Sequence, residues 1–108
     1  MKILKVIHGY PPYYSAGSEV YSQILAHELA DNHEVQVFAR DENSFLPDFH
    51  YSTVLDNSDP RILLHLINIP TTKYRYKFIN EEVNIRFETI IDHFKPDLIH
   101  FGHLIIYL

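Results

Sequence analysis

The feature that most constrains the fold is the order of patterns in the first 40 or so residues. Residues 2–8 form a short apolar run rich in Ile and Val, which predicts a strand buried on both faces. From about Ser18 apolar residues recur at helical spacing, and residues 33–39 predict a second strand. A strand, a helix and a strand in this length form a βαβ unit, which implies a parallel sheet with right-handed crossovers.

The predicted first helix is amphipathic. Its apolar side chains, which we expect to pack on the sheet, are Val20, Tyr21, Ile24, Leu25 and Leu29. The polar residues that fall mostly on the opposite side are Glu19, Gln23 and Glu28.

The remainder of the chain predicts one short strand and two further main strands. Residues 49–55 have strand-like composition and predict a short strand within an excursion, and residues 62–69 predict the third main strand. A long helix is predicted over residues 74–95, a fourth main strand over 97–101, and an apolar tail follows. The pattern predicts an α/β, Rossmann-like open parallel sheet of about four main strands, in the order 3-2-1-4, with helices on both faces.

Composition narrows the function classes. Apolar residues make up 46% and charged residues 21% of the 108 residues, as in folded domains. The formal charge of −5, with no basic run, disfavours a nucleic-acid partner. The chain has no cysteine, which excludes disulfides, thiolate catalysis and cysteine-based zinc sites. No stretch approaches the roughly 20 apolar residues of a membrane span, so the expected compartment is the cytoplasm.

The three glycines are expected at one edge of the sheet. Gly9 follows the first strand, Gly17 opens the first helix and Gly102 follows the last strand. In open α/β sheets the carboxyl ends of the strands form the ligand crevice, and glycine there lets a ligand approach the backbone. The dinucleotide fingerprint and the Walker phosphate loop are both absent from the sequence, which disfavours ordinary NAD binding and P-loop chemistry.

Histidine is abundant, with eight residues, and three are expected at that same edge. His8 ends the first strand, while His100 and His103 lie at the end of the fourth. A histidine there can act as a general base or donate a hydrogen bond to a substrate hydroxyl. His100 and His103 straddle a strand end and a loop with no third ligand nearby, so no metal site is predicted. Five further histidines are expected to be structural or solvated: His27, His33, His50, His65 and His93.

Several segments in order resemble the N-terminal domain of a family 4 glycosyltransferase, a retaining enzyme of the GT-B fold. Residues 8–21 (HGYPPYYSAGSEVY) match the proline-containing loop and the helix start of that family. Residues 25–30 (LAHELA) and 33–37 (HEVQV) match the helix and the second strand. Residues 95–100 (KPDLIH) match the strand that follows the long helix. The resemblance covers essentially the whole chain.

The resemblance implies roles for a few residues. Ala16 and Gly17, which stand where the family usually has two glycines, would lie against the donor diphosphate or the transferred sugar. The family's second histidine touches the transferred sugar. By direct counting Gly102 stands at its commonest position and His103 one residue later, so His103 is the candidate catalytic residue. The candidate acceptor or sugar contacts are His8, Tyr13, Tyr14, Glu19, His100 and Gly102.

The resemblance also implies partners and organisation. Residues 1–108 would form an incomplete N-terminal, acceptor-side domain, with a C-terminal nucleotide-sugar domain or a partner chain expected elsewhere. The donor would be a nucleotide-sugar and the acceptor a sugar or a lipid-linked molecule, with no metal or other cofactor required. The expected location is the cytoplasm, in peripheral contact with the inner face of the membrane, and the 108 residues alone are expected to be inactive.

Two alternatives to an enzyme stay open. A stand-alone α/β binding module would be complete near this size, but Ile7 and His8 stand where a receiver domain has paired acids. A flavodoxin needs a Ser/Thr-rich phosphate loop at this place, where the chain has a Tyr-Pro-Pro-Tyr-Tyr segment. The second alternative is a non-catalytic partner subunit that docks through its sheet edge and apolar tail.

Overall fold

In a computed structural model of the chain, the described residues form six strands and two helices. The structure describes residues 1–7, 9, 17–41, 43–69, 81–101 and 104–107. The elements, in chain order, are β1 (Lys2–Ile7), α1 (Gly17–Leu29), β2 (Glu34–Asp41), β3 (Tyr51–Leu55), β4 (Leu63–Asn68), α2 (Glu81–Phe94), β5 (Leu98–Phe101) and β6 (Leu104–Tyr107).

The strands form one mixed sheet in the order β3-β4-β2-β1-β5-β6. The four inner strands are parallel, and their order β4-β2-β1-β5 is the order predicted for the four main strands. The predicted count is wrong, because β3 and β6 pair antiparallel with β4 and β5 at the two edges. β3 is the short strand expected in the excursion, whereas β6 forms from the segment interpreted as an apolar tail.

The helices cover opposite faces of the sheet, as predicted. Along β1, Ile3 belongs to the core beneath α1 and the next residue, Leu4, to the core beneath α2. This alternation follows from the two-residue period of a strand. On the α1 face the buried core residues are Ile3, Ala26, Val35, Val37, Ala39, Ile62, Leu64, Leu66 and Leu98. On the α2 face they are Leu4, Phe38, Ile67, Ile69, Ile90, Phe94 and Ile99.

The face of α1 that packs on the sheet differs from the predicted one. Val20, Tyr21 and Ile24 are 41%, 67% and 53% exposed, so this apolar stripe faces away from the core. Ala26 is fully buried instead, with Leu29 partly buried against the same core. A small side chain such as alanine lets the helix approach β1 and β2 closely, which a spacing rule weighted toward large apolar residues does not anticipate.

The end of α2 and the start of β5 agree with the sequence. α2 ends at Phe94, and Lys95 takes a left-handed conformation with φ of 54° before Pro96. Asp97 then ties β5 to β1, because its carboxylate accepts a hydrogen bond from the Lys2 amide at 2.8 Å. The predicted start of this helix, over residues 74–80, lies outside the described residues. Within the described part of the chain, no helix is both long and apolar enough to cross a membrane.

Candidate functional site

The winding of the sheet reverses between β1 and β5. From β1 the chain proceeds to β2 and β4 on one side, then crosses back through α2 to β5 on the other side of β1. In open α/β sheets, ligands bind at such a reversal, outside the carboxyl ends of the strands. Gly9, which is buried, follows β1 at this point, and Gly17 is the first residue of α1. The carboxyl edge of β1 and β5 is therefore the candidate site.

The structure describes three of the predicted site residues. Gly17 and Glu19 lie in the first turn of α1, and His100 is the third residue of β5, where it is half-buried. The fold brings the end of β5 and the beginning of α1 toward the same edge of the sheet. The other predicted site residues lie outside the described residues: His8, Tyr13, Tyr14, Ala16, Gly102 and His103.

His100 has a charged neighbour that the sequence did not single out. Lys5 of β1 is its partner in the parallel ladder, and Lys5 Nζ lies 2.9 Å from His100 Nδ1. Both residues alternate with Ile3 and Leu98 and so lie on the α1 face. The Lys5 side chain is only 1% exposed, and burial lowers its pKa to about 8. A cationic donor is thus held inside the sheet, beside the candidate site.

The carboxyl ends of β2 and β4 are joined by a buried amide. Asn68, 1% exposed, accepts a hydrogen bond from the Asn43 amide at 2.8 Å and donates to the Asn43 and Pro47 carbonyl oxygens at 2.8 and 3.0 Å. These bonds fasten the loop after β2 along the edge. At the tip of this loop the ring of Phe45 is 94% exposed. Nearby, burial raises the pKa of Asp41, the last residue of β2, and His50 partly opposes that shift.

A second polar cluster lies on the α2 face. Tyr51 Oη lies 2.6 Å from His65 Nδ1, and His65 Nε2 lies 2.6 Å from Gln36 Oε1. Burial lowers the pKa of His65, which favours the neutral ring. In that state Tyr51 donates to Nδ1 and Nε2–H donates to the Gln36 carbonyl oxygen, which uses both ring nitrogens. The cluster borders a cavity of about 300 Å³ between the sheet and α2.

The amino edge of the sheet carries ion pairs that fasten loops. Arg61 forms a two-point contact with Asp59, at 2.8 and 2.6 Å, and reaches Asp31 after α1 at 2.9 Å. The Arg61 guanidinium lowers the pKa of Asp59 to about 2. His27 of α1 lies 2.7 Å from the buried carboxylate of Asp56. These contacts join α1 to the turn before β4, so we assign them to structure.

Among the described residues, no group of three or more His, Cys, Asp or Glu side chains is arranged to hold a metal ion. Comparison with protein-family models, with curated proteins and with solved structures found no match for this chain. The candidate site therefore has to be interpreted from its own residues.

Sequence reasoning missed Lys5 and the Asn68 anchor. Lys5 lies within an apolar run that predicts a strand buried on both faces. A lysine at such a position indicates a specific partner or role for the side chain, because an isolated buried charge is costly. Asn68 has a weaker signal, since a polar residue at the end of a strand is ordinary. Only the fold shows that it faces the loop after β2.

Proposed function

We propose that this chain is the acceptor-side domain of a retaining glycosyltransferase that uses a nucleotide-sugar donor. The observation that carries the proposal is the reversal of winding between β1 and β5, which gathers Gly9, the start of α1 and His100 at one edge of the sheet. Each of these belongs to a segment that resembles family 4 glycosyltransferases. The agreement between a motif and its place in the fold supports the proposal more strongly than the motif alone.

The arrangement suits part of the chemistry of sugar transfer. A departing nucleoside diphosphate must be neutralised, and backbone N–H groups at the start of a helix are suited to phosphate oxygens. The acceptor hydroxyl must be held within about 3–3.5 Å of the sugar carbon, which needs polar side chains fixed by packing. We assign the first role to the start of α1 at Gly17 and the second to the wall that contains His100. Neither role requires a metal ion.

In this proposal the nucleotide is held mainly by a second domain, as the GT-B architecture implies, on the same polypeptide or on a partner chain. We further propose that the reaction takes place in the cytoplasm, with the acceptor a sugar or a lipid-linked molecule at the inner face of the membrane.

A non-catalytic partner subunit is the second candidate function. The exposed apolar side chains of α1, at Val20, Tyr21 and Ile24, favour it, because scattered apolar exposure is ordinary but a contiguous helical stripe is typical of a contact surface. A subunit of this kind would not need the carboxyl edge to bind a ligand.

The test is an amide-shift titration of the ¹⁵N-labelled chain with UDP-glucose and GDP-mannose at millimolar concentration. We expect weak binding, with shifts at Gly9 and Gly17 and none at Glu34 and Asp97 on the amino edge. Gly17→Pro removes one N–H at a helical position that tolerates proline; the residue 17 signal is lost with it, and the shift at Gly9 should be abolished. The matched control is Glu81→Pro, the same change at the first residue of α2, which should leave the shifts at Gly9 and Gly17 as in the parent chain.

Calorimetry and a transfer assay complete the test. Because the nucleotide pocket is assigned to another domain, the isolated chain should show no micromolar affinity for nucleotide-sugars and no turnover. Shifts confined to the amino edge, or no shifts with either donor at saturating millimolar concentration, would contradict the proposal and favour the partner subunit.

A further inference from the structure

Among the described residues, the most exposed large apolar side chain is the aromatic ring of Phe45. It is 94% exposed, whereas the next most exposed ring in that part of the chain, Tyr21 of α1, is 67% exposed. Exposure alone carries no argument, because single apolar side chains are common on protein surfaces. Two further observations distinguish Phe45: its loop is anchored by a buried side chain, and the loop lies at the candidate edge.

The loop that carries Phe45 is fastened on both sides of the ring by one buried amide. Asn68, at the end of β4, accepts a hydrogen bond from the Asn43 amide at 2.8 Å and donates to the Asn43 carbonyl oxygen at 2.8 Å. It also donates to the carbonyl oxygens of Leu46 and Pro47, at 3.2 and 3.0 Å. Within the loop, the Phe45 amide donates to Asn43 Oδ1 at 2.9 Å. The backbone beneath the ring is therefore held in place before any ligand arrives, which reduces the entropy lost on binding.

The anchored loop lies beside the candidate site. It follows β2, which is the neighbour of β1 in the sheet, and the two strands run in the same direction. Neighbouring strands are about 4.8 Å apart, so the end of β2 lies one strand spacing to the side of the end of β1, which Gly9 follows. The far end of the loop returns to the same edge, because the Phe49 amide donates to the Asn68 carbonyl oxygen at 2.7 Å. Phe45 therefore stands at the rim of the candidate site, on the side of β2 and β4.

The charges of this loop disfavour an anionic ligand. Residues 41–48 (DENSFLPD) contain three acids and no Lys or Arg. Segments that insert aromatic rings into a membrane surface usually combine them with Lys or Arg, which bind anionic headgroups. The carboxylates of this loop would repel such headgroups, and they would repel a phosphate in the same way. A ligand that binds at this loop is therefore neutral or cationic.

The size of the apolar surface favours a small ligand over a protein. A stable protein interface buries about 800 Å² on each side, whereas one aromatic side chain supplies roughly 150–250 Å². The other exposed large apolar side chains of the described residues lie on α1, β3 and α2 and at the amino terminus. A sugar ring matches the size of a single phenyl ring. Its C–H face is attracted to the negative face of the aromatic ring, and its hydroxyl groups donate to carboxylate and carbonyl oxygens.

We propose that Phe45 is a stacking platform for a neutral hexose ring at the rim of the carboxyl edge. The phenyl ring packs against the C–H face of the sugar, and Asn68 is the positioning residue that holds the loop beneath it. The assignment of this sugar to the acceptor rests on the proposed function, whereas the binding of a sugar by Phe45 does not.

The test is an amide-shift titration of the ¹⁵N-labelled chain with three neutral glycosides: methyl α-glucopyranoside, methyl α-mannopyranoside and methyl β-galactopyranoside. We expect shifts at Ser44 and Leu46 with at least one of them, and a dissociation constant on the order of 10 mM, as befits a small ligand with one stacking contact. Phe45→Tyr keeps an aromatic ring and should bind within about twofold of the parent chain. Phe45→Leu keeps an apolar side chain without a ring and should weaken binding at least about fivefold.

The matched control is Tyr21→Leu, which removes a ring at the next most exposed aromatic side chain of the described residues and should leave the dissociation constant unchanged. The absence of shifts with all three glycosides would overturn the proposal, and so would equal binding by the parent chain and Phe45→Leu. Shifts at Ser44 and Leu46 with tetramethylammonium chloride but not with the glycosides would overturn it in favour of a cation site. The same result with phosphatidylglycerol vesicles would overturn it in favour of a membrane contact.

Failure of this proposal and failure of the proposed function give different results. The nucleotide-sugar titration is read at Gly9 and Gly17, whereas the glycoside titration is read at Ser44 and Leu46. Glycoside shifts at the loop without donor shifts at the two glycines would keep the stacking platform and make the chain a sugar-binding module. Donor shifts at the two glycines without glycoside shifts at the loop would keep the donor site and overturn the stacking platform.

Discussion

Each face of the sheet holds a histidine that is largely covered, and the two histidines differ in their hydrogen-bond partners. His65, on the α2 face, has a neutral partner at each ring nitrogen, Tyr51 and Gln36. His100, on the α1 face, has a buried cation at one nitrogen. His65 lies in the middle of β4, whereas His100 lies one residue before the end of β5, at the edge where the winding reverses.

This difference in partners indicates that His65 is a structural polar group and that His100 is the functional candidate. A buried network in which every ring nitrogen has a neutral partner fastens β4 to β3 and β2 and needs no ligand. A buried ammonium beside a half-buried ring lowers stability, which a purely structural role does not explain. The following predictions test this contrast, from the largest expected effect to the smallest.

Removal of the His65 ring should give the largest effect. His65→Ala leaves Tyr51 Oη and Gln36 Oε1 without their partner and creates a cavity, so we expect the free energy of unfolding to fall by about 3 to 4 kcal/mol. Urea unfolding followed by circular dichroism measures this. The control is His93→Ala, an exposed residue of α2, which should change stability by less than about 0.5 kcal/mol. Equal losses in both variants would show that the His65 network is not structural.

Lys5→Met should act in the opposite direction. At pH 7 we expect this variant to be about 2 to 3 kcal/mol more stable than the parent chain, because it removes a buried charge. The pKa of Lys5 is about 8 in the folded chain and near 10.5 when unfolded, so the unfolded chain binds the proton more tightly between these values. Stability of the parent chain should therefore rise with pH from about 8 to 10.5, and the advantage of Lys5→Met should shrink.

Unfolding curves of both proteins at pH 7, 9 and 10.5 give this difference, in which the titration of other groups largely cancels. A Lys5→Met variant that is less stable at pH 7 would mean that the ammonium stabilises the fold, and the contrast with His65 would be lost.

His65 should produce a smaller pH dependence at the acid end. Burial lowers its pKa below the usual 6.5, so the unfolded chain takes up the proton first as pH falls. The stability contributed by the neutral ring is complete above pH 6.5 and declines below it, by at most about 1.4 kcal/mol per pH unit, until the folded group also titrates. The difference between the parent chain and His65→Gln from pH 7 to 5 isolates this effect. A difference independent of pH would contradict the assigned neutral ring.

The smallest effect concerns the ring that donates to His65. The Arg86 guanidinium lies 4.0 Å from the centre of the Tyr51 ring, a cation–π contact between α2 and β3. Arg86→Ala should lower the free energy of unfolding by about 0.5 to 1 kcal/mol, and Arg86→Lys by less. Identical losses in the two variants would show that the charge over the ring contributes nothing.

The sequence predicts the inner part of the sheet well, because its strands carry a strong signal. The connections from β1 to β2 and from β4 to β5 each contain a helix, so the parallel direction within those two pairs follows from the βαβ pattern. β2 and β4 are joined through β3, with no helix among the described residues between them. β6 could not be predicted in the same way, since it lies next to β5 in sequence and shows neither alternation nor a terminating residue. The prediction of which α1 face packs on the sheet was wrong for a related reason. Burial of Ala26 depends on the distance between the helix and the sheet, which the spacing of apolar residues does not encode.

The sequence predicts where in the fold the candidate site lies, but not which side chains contact each other there. The glycines and His100 point to the carboxyl edge, because that edge follows from strand direction alone. The partner of His100 depends on the register of β1 against β5, where Lys5 lies opposite it. Register is a tertiary property, and the sequence shows only that a lysine interrupts an apolar run.

One measurement tests most directly whether the carboxyl edge, and not the α2 face, is the functional region. It is the histidine ring spectrum of the labelled chain, recorded before and after millimolar UDP-glucose or GDP-mannose is added. We expect the His100 ring signals to move with at least one donor, while both His65 nitrogens keep their shifts because Tyr51 and Gln36 already bind them. Movement of the His65 signals with His100 unchanged would contradict the assignment of both histidines.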